Sequence, residues 1–186
     1  MRGKLKILGF AGSLRKGSYN RAILRAALEL LPPDVELEIF DLEGIPPYNM
    51  DLEGRMPDPV LEFKRRIRQA DAILIATPEH NYSIPGVLKN AIDWASRPVG
   101  DNSFDGKPVA IMSASPAMIG GARAQYHLRQ TFVWLNMFPV NRPEVIVPAA
   151  NEKIDGSGRV IDGKTREKIG ELLVSLSEWT RRITAN

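Results

Sequence analysis

The feature that most constrains the fold of this chain is an apolar run that leads through a polar loop into a helical pattern. Residues Leu5 to Ala11 are mostly apolar, Gly12 to Asn20 carry serines and basic side chains, and Arg21 to Leu31 repeat apolar residues at helical spacing. This succession predicts a strand, a short loop and a helix. Backbone N–H groups at a helix start lack partners, and the helix dipole adds partial positive charge there. The loop is therefore predicted to bind an anion such as phosphate.

The side chains of this first loop suit a single phosphate group. Ser13 and Ser18 supply hydroxyl donors, and Arg15 supplies a planar guanidinium that matches phosphate oxygens. The loop has neither the Gly-Lys-Ser/Thr ending of nucleotide triphosphatases nor the three-glycine fingerprint of dinucleotide-binding loops. Taken alone, Ser18 also fits a plain helix cap, a role that serine commonly fills.

A second polar loop, Thr77 to Gly86, follows the apolar run Ala72 to Ala76 and precedes another helical pattern. In an open parallel sheet the carboxyl ends of the strands share one edge, and ligands bind where the strand order reverses. One loop can then hold a phosphate while the other faces a planar ring. Tyr82 suits a ring, and Pro78 and Pro85 stiffen the loop. The alternative is an ordinary turn rich in proline and asparagine.

Strand-like runs alternate with helical runs along the chain. The predicted strands are Leu5–Ala11, Val35–Phe40, Ala72–Ala76, Val109–Ser113 and Glu144–Val147. The predicted helices are Arg21–Leu31, Pro59–Gln69, Pro85–Ser96, Ala122–Met137 and Gly163–Ile183. This alternation predicts an α/β fold with helices on both faces of a doubly wound five-stranded parallel sheet. Right-handed crossovers and short links favour the flavodoxin-like strand order 2-1-3-4-5. A length of 186 residues suits a single domain spanning residues 1–186.

The composition excludes several kinds of chemistry. The chain has no cysteine, so disulfides, thiol catalysis, cysteine-ligated iron–sulfur clusters and thiolate zinc sites are ruled out. Its two histidines make a histidine metal cluster implausible, and no metal is expected. Any redox work must therefore come from a bound cofactor.

The net charge of +3 is modest and its basic residues are spread along the chain. The densest run, Lys64 to Arg68, is predicted to be a solvated helix face, and no aromatic platform for nucleic acid accompanies it. No apolar run is long enough to cross a bilayer, and the first strand starts too early to leave room for a signal peptide. We therefore expect no nucleic-acid partner, no membrane association and a cytoplasmic location.

Two loops are longer than their links require. Asp41 to Asp58 has the length of a functional or partner-contacting loop, whereas Asn151 to Asp162 is polar and glycine-rich and is predicted to be a mobile surface link. The predicted helix Ala122–Met137 carries a polar and aromatic face suited to an oligomer contact, formed by Arg123, Tyr126, Arg129 and Trp134. His127 on the same helix is predicted to pack against another helix or a second subunit. These features predict a homodimer or homotetramer.

Two motifs in combination resemble those of a known family. The first is Gly12 to Asn20 (GSLRKGSYN), and the second is Pro78 to Trp94 (PEHNYSIPGVLKNAIDW). Together they resemble the NAD(P)H-dependent FMN reductases, which are flavodoxin-like quinone, azo-dye and chromate reductases. The segment Ser115 to Gln130 is similar to a third flavin-side segment of that family, and the likeness extends from about Leu5 to Val147.

The resemblance implies that FMN is the cofactor and that NADPH or NADH is the cosubstrate. The first motif would hold the phosphate of FMN through Ser13, Arg15, Ser18 and Asn20, with Tyr19 alongside. The second would line the isoalloxazine and ribityl chain through Pro78, Glu79, His80, Asn81, Tyr82 and Ser83, and Ser115 would close the far side. His80 departs from the family, which more often has a tyrosine there, but backbone groups supply much of this contact. The resemblance also suggests that the loop Asp41 to Asp58 approaches the flavin of a neighbouring subunit.

One leading hypothesis and two alternatives follow. The leading hypothesis is an FMN-dependent oxidoreductase that takes hydride from NAD(P)H. It would reduce small-molecule acceptors by a ping-pong mechanism: quinones, azo or nitro compounds, flavins, or metal oxyanions such as chromate. The flavin performs the hydride transfer, so no catalytic side chain is expected. The alternatives are a flavodoxin-type electron carrier without nicotinamide turnover and a flavin-binding regulatory module. Typical carriers of that kind are acidic, whereas this chain is basic.

Overall fold

The computed structural model describes residues 3–185 and contains a parallel sheet with helices on both faces. Its strands are β1 Leu5–Ala11, β2 Val35–Phe40, β3 Ala72–Ala76, β4 Pro108–Ala114, β5 Phe138–Pro139 and β6 Val145–Val147. Its helices are α1 Tyr19–Leu28, α2 Asp58–Gln69, α3 Gly86–Ala95, α4 Ala122–Leu135, α5 Ala150–Lys153 and α6 Gly163–Ile183, with a 3₁₀ helix at Met50–Arg55. The strand order is β2-β1-β3-β4-β5, which confirms the predicted flavodoxin-like α/β fold.

The sheet separates two apolar cores. Residues of α1 and α6 pack on one face, with Ile23 and Leu173 among those fully buried. Residues of α2, α3 and α4 pack on the other, with Phe63, Leu88 and Leu128 fully buried. Because both faces are covered, β3 is apolar throughout and every one of its residues is buried.

The fifth position of the sheet is occupied by two short strands, where a single strand was predicted. The residue pair Pro108–Phe138 joins β5 to the start of β4, and the pair Met112–Val145 joins β6 to its end. Proline lacks the N–H that a continuous ladder requires, and both Pro139 and Pro143 fall in this region. The preceding helix also ends two residues earlier than predicted, because Asn136 adopts a left-handed φ of 51° at its C-cap.

The basic run on α2 is only partly a solvated face, which corrects the prediction for Lys64. Its side chain is 2% exposed, and its ammonium donates hydrogen bonds to the carbonyl oxygens of Arg97 and Asp101 after α3. Burial lowers the pKa of Lys64, while Asp101 opposes that shift. The arginines of the run do face solvent or surface carboxylates, as Arg65 does beside Glu62. Lys64 thus fixes the end of α3, the helix that begins beside the second loop.

The two long loops are both anchored to the body of the protein. The segment Asn151 to Asp162 is not a plain surface link, because Ile154 and Val160 are buried in the core and pair with each other across a bridge. The burial of these two apolar residues was not predicted from the sequence, because glycine and polar residues dominate the segment. In the loop Asp41 to Asp58, the Pro46 carbonyl accepts hydrogen bonds from the side chains of Asn90 and Trp94 on α3. Within residues 3–185, no helix has the length and apolar character needed to span a bilayer.

Candidate cofactor site

The two predicted loops lie side by side at the carboxyl edge of the sheet. Their strands β1 and β3 are parallel neighbours, and Ala11 and Ala76 are register partners. The amide of Gly12 donates a hydrogen bond of 2.9 Å to the carbonyl of Ala76. A Cβ at Gly12 would lie 3.1 Å from side-chain atoms of Pro85 and Leu88 at the start of α3. The absence of a side chain at Gly12 therefore allows the first loop to pack directly on the second.

The first loop presents a row of free backbone donors in front of α1. Within the described part of the chain, none of the amides from Ser13 to Gly17 has a hydrogen-bond partner. Ser18 is buried, and its hydroxyl caps α1 by accepting a bond from the amide of Arg21 at 3.4 Å. Unpaired amides beside a helix N-terminus have the donor chemistry that a phosphate requires. The loop thus fits the phosphate end of a mononucleotide, and the capping role of Ser18 is compatible with that use.

Asn20 fastens this loop to the neighbouring strand. Its side chain is buried, its Nδ2 donates to the carbonyl of Ala114 at 2.9 Å, and its Oδ1 accepts from the amide of Ala114 at 2.9 Å. Both polar atoms of the carboxamide are therefore engaged with the end of β4. The residue fixes where α1 begins, and the proposed phosphate contact of Asn20 stays a prediction.

Arg15 provides an exposed positive charge in the loop. The residue is exposed, and its guanidinium carbon lies 5.4 Å from the centroid of the Tyr19 ring. Tyr19 packs against the core beneath it. The guanidinium also lies close to Gly17, and none of the ion pairs among the described residues involves it.

The second loop contains a tight turn from His80 to Ser83. The amide of each of these two residues donates to the carbonyl of the other at 2.9 Å. Between them, Asn81 and Tyr82 adopt left-handed φ values of 50° and 67°. Two successive positive φ angles without glycine are uncommon and store backbone strain, so the surrounding structure must hold the turn in place. His80, Asn81 and Tyr82 are exposed, and Tyr82 is 67% accessible.

Part of that support comes from Arg123 at the start of α4. Its guanidinium forms an ion pair with Glu79, whose carboxylate also accepts a bond from the Arg123 amide at 3.2 Å. The guanidinium carbon lies 3.5 Å from the centroid of the Tyr82 ring. The hydrogen bond to Glu79 raises the pKa of Arg123 further, so the arginine stays charged. One side chain thus holds both the entry and the tip of the turn.

His127 makes a second contact between α4 and the turn. Its Nδ1 lies 3.0 Å from Oγ of Ser83, although the two residues are 44 positions apart in the chain. The sequence predicted helix packing or a subunit contact for His127 and an oligomer face for Arg123. Their spacing of one helical turn, which puts both on the same side of α4, was the available signal that they act together.

Ser115 brings a third strand end to the same edge. It follows β4 directly, and its amide donates to the carbonyl of Val147 at 3.1 Å. Its hydroxyl accepts a bond from the amide of Ala117 at 3.2 Å. The ends of β1, β3 and β4 therefore surround one region, with the free amides of the first loop on one side and the strained turn on the other. Across the described residues, no cluster of three or more potential metal ligands occurs.

Comparisons with known proteins agree over nearly the whole chain. The sequence model described as NADPH-dependent FMN reductase matches residues 5–152. An NAD(P)H-dependent FMN reductase of Pseudomonas aeruginosa is 52% identical over 184 residues, which cover 98% of this chain and 99% of that protein. A quinone reductase of Escherichia coli is 41% identical, with 98% and 99% covered. A solved flavoenzyme NAD(P)H:(acceptor) oxidoreductase from Paracoccus denitrificans superposes with a TM-score of 0.88 at 35% identity, covering 96% of this chain and 98% of that one.

Proposed function

Since the chain belongs to the NADPH-dependent FMN reductase family, we propose that it transfers reducing equivalents from NAD(P)H through FMN to quinones. Family membership confirms the predicted resemblance, the enzyme class and the cofactor pair of FMN and reduced nicotinamide. FMN, when bound, supplies the hydride chemistry. The protein then has to bind the cofactor, orient it and leave one face of its ring open to both substrates.

The observation that carries this proposal is the row of free amides from Ser13 to Gly17 beside the strained turn. The phosphate of FMN would sit on those amides, with Ser13, Arg15 and Ser18 as side-chain donors and Tyr19 and Asn20 fixing the loop. Doubly charged phosphate suits this place because unpaired amides, the α1 dipole and a free guanidinium all favour negative charge. No lysine or metal is needed for that binding.

The isoalloxazine would lie along the second loop. Its lining would be Pro78, Glu79, His80, Asn81, Tyr82 and Ser83, with Ser115 on the far side. The amides of Asn81 and Tyr82 have no hydrogen-bond partner within residues 3–185, so they are available to the ring. In this proposal no side chain acts as nucleophile or general base, and the whole of residues 1–186 forms one flavin-binding domain.

The acceptor range follows from a shared, open pocket. Quinone reduction is supported by the names of the relatives in Escherichia coli and Burkholderia. We extend the proposal to azo and nitro compounds, free flavins and oxyanions such as chromate, because an exposed turn with Tyr82 at its tip imposes few contacts on the acceptor. Reductant and acceptor would occupy that pocket in turn, which gives ping-pong kinetics.

We also propose that the protein forms a homodimer or homotetramer and acts in the cytoplasm. Helix α4 exposes Tyr126, Val133 and Trp134, and the last two are 85% and 78% accessible. Large apolar side chains in such a row are typical of protein–protein contacts. Light scattering at micromolar concentration should give at least twice the monomer mass, and cell fractionation should place the protein with cytoplasmic enzymes that consume NAD(P)H.

The decisive experiment is purification followed by reduction. The protein should be yellow, or should take up FMN on titration, and NADPH or NADH should bleach it. Steady-state oxidation of NAD(P)H with a quinone should give parallel double-reciprocal lines. A colourless protein that binds no FMN would exclude the proposal, whereas FMN binding without nicotinamide turnover would favour the electron-carrier alternative.

A further inference from the structure

His127 lies outside both motifs that would hold the cofactor, yet it contacts one of them. Its Nδ1 is 3.0 Å from Oγ of Ser83, and the imidazole lies on the exposed side of α4. The backbone amide and carbonyl of Ser83 are both used by His80 within the turn. The hydroxyl is therefore the only group through which Ser83 can still donate a hydrogen bond, and His127 contacts that group.

The proton on the imidazole decides what the Ser83 hydroxyl can do. When Nδ1 carries a proton, it donates to Oγ, and the hydroxyl proton of Ser83 remains free for another acceptor. When Nδ1 is bare, it accepts the hydroxyl proton, and Ser83 offers only lone pairs elsewhere. The two states therefore present opposite hydrogen-bonding character on the other side of Ser83.

We propose that His127 is a positioning residue whose Nδ1–H donates to Ser83 and thereby orients the Ser83 hydroxyl to donate to bound FMN. The inference rests on the proposed function, because it requires FMN at the second loop. It assigns to α4 a part in tuning the cofactor, where the sequence predicted only packing or a subunit contact.

Other contacts hold the turn in place, so the loss of His127 should affect only the Ser83 hydroxyl. Arg123, one helical turn before His127, already holds Glu79 by an ion pair and covers the Tyr82 ring at 3.5 Å. The turn is also closed by its two backbone hydrogen bonds between His80 and Ser83. Removing the imidazole should therefore change the direction of one hydroxyl and leave the turn itself in place.

The expected consequence is a shift in the midpoint potential of bound FMN. A hydrogen-bond donor stabilises the oxidation state with more negative charge on the ring, which is the reduced one. Loss of one hydrogen bond of average strength should change the ratio of the dissociation constants for oxidised and reduced FMN roughly fivefold. For a two-electron couple, a fivefold ratio corresponds to a potential lower by about 20 mV.

The test compares His127→Leu, which removes the donor, with His127→Asn, whose carboxamide keeps a polar atom near the Nδ1 position. Lys168→Ala, an exposed substitution on α6, is the matched control. Midpoint potentials are measured against a reference dye, and dissociation constants for oxidised FMN by fluorescence quenching. We expect the leucine variant to lie about 20 mV below the parent, the asparagine variant to recover most of that shift, and the control to match the parent.

A Ser83→Ala background shows whether the effect passes through Ser83. If it does, adding His127→Leu to Ser83→Ala should lower the potential no further. An unchanged or raised potential in His127→Leu, or additive shifts in the double variant, would overturn the inference while FMN binding by the parent leaves the proposed function intact. A parent protein that binds no FMN would overturn both. Should His127→Leu fail to fold by circular dichroism, His127→Ala gives the same comparison.

Discussion

The two loops of the candidate site hold their shape by different means. The first, in front of α1, leaves the amides of Ser13 to Gly17 unpaired and is anchored at its two ends, by Gly12 after the strand and by Ser18 and Asn20 where the helix begins. The second is closed by its own hydrogen bonds, contains two strained residues, and is held from outside by Arg123 and His127. Unpaired donors favour tight binding of a charged group, whereas external supports fix the orientation of a ring. We therefore expect substitutions in the first loop to cause the larger losses of FMN affinity, and substitutions around the second loop to lower affinity less and to slow reduction by disturbing the position of the ring.

The largest effect is expected from the double substitution Ser13→Ala and Arg15→Ala. A charged hydrogen bond contributes about 1.5–3 kcal/mol and a neutral one about 1 kcal/mol, so FMN affinity should fall on the order of a hundredfold. Because neither side chain is buried, the free energy of unfolding of the apoprotein should change by less than about 0.5 kcal/mol. Fluorescence titration and urea unfolding measure the two quantities. An unchanged FMN affinity would remove the phosphate assignment.

Asn20 is the point where the first loop does depend on an outside support, so Asn20→Ala should affect stability. The substitution leaves the amide and the carbonyl of Ala114 without partners at a buried site, which costs about 2–3 kcal/mol of unfolding free energy. Asn20→Asp is the matched variant, because its carboxylate still accepts from the Ala114 amide but cannot donate to the carbonyl. Urea unfolding should place both variants below the parent, because the alanine variant loses both bonds and the aspartate variant buries a carboxylate oxygen against the Ala114 carbonyl. Equal stability of all three would show that the contact with β4 does not fix the loop.

Arg123 tests the external support of the second loop. Arg123→Lys keeps the charge opposite Glu79 but loses the planar contact with Tyr82, and Arg123→Met loses both. We expect FMN affinity to fall roughly threefold in the lysine variant and roughly tenfold in the methionine variant. Stopped-flow reduction by NADPH should slow in the same order, since a loosened turn orients the ring less well. If both variants bind FMN and are reduced by NADPH as the parent is, the turn holds itself and the difference between the loops disappears.

The first loop could be predicted from the sequence because the residues that form it are consecutive in the chain. A strand, a hydroxyl-rich loop and a helix start follow one another within Leu5 to Leu28, and that order alone predicts free amides and a dipole at one place. The strand order followed in the same way from the alternation of elements. The support of the second loop could not be predicted from the sequence, because a helix, a strand and a long link separate Glu79 from Arg123 along the chain.

Two further predictions were wrong, for different reasons. Lys64 was assigned to solvent because lysine is seldom buried, yet the carbonyl groups that bind it lie beyond α3 and β3 in the chain. The fifth strand is split into β5 and β6 by prolines, whereas the prediction of a single strand used only the pattern of apolar residues. The partners of Lys64 are brought together by tertiary structure, so no local window of sequence contains that information, whereas Pro139 and Pro143 stand in the sequence of the split strand itself.

The smallest effects are expected from alanine at Gly17 and at Asn81, and they should have opposite signs. Gly17 lacks a left-handed φ, and a Cβ there meets only a guanidinium nitrogen of the flexible Arg15 side chain at 3.3 Å. Alanine should then stabilise the protein by about 0.4–1 kcal/mol, because it restricts the unfolded chain. Asn81 has a φ of 50°, where alanine is less favourable than asparagine, and the substitution should cost about 1 kcal/mol.

Urea unfolding of the apoproteins measures the change in stability caused by Gly17→Ala and by Asn81→Ala, and Asn81→Gly supplies the control. Glycine tolerates a positive φ, so Asn81→Gly should lie within about 0.5 kcal/mol of the parent while Asn81→Ala does not. Because Asn81 is exposed, lost packing cannot account for a difference between those two variants. A stabilising effect of alanine at Asn81 as well as at Gly17 would mean that the left-handed φ of Asn81 stores no strain. The second loop would then need no support from α4, and the slower reduction expected for Arg123→Met would require another cause.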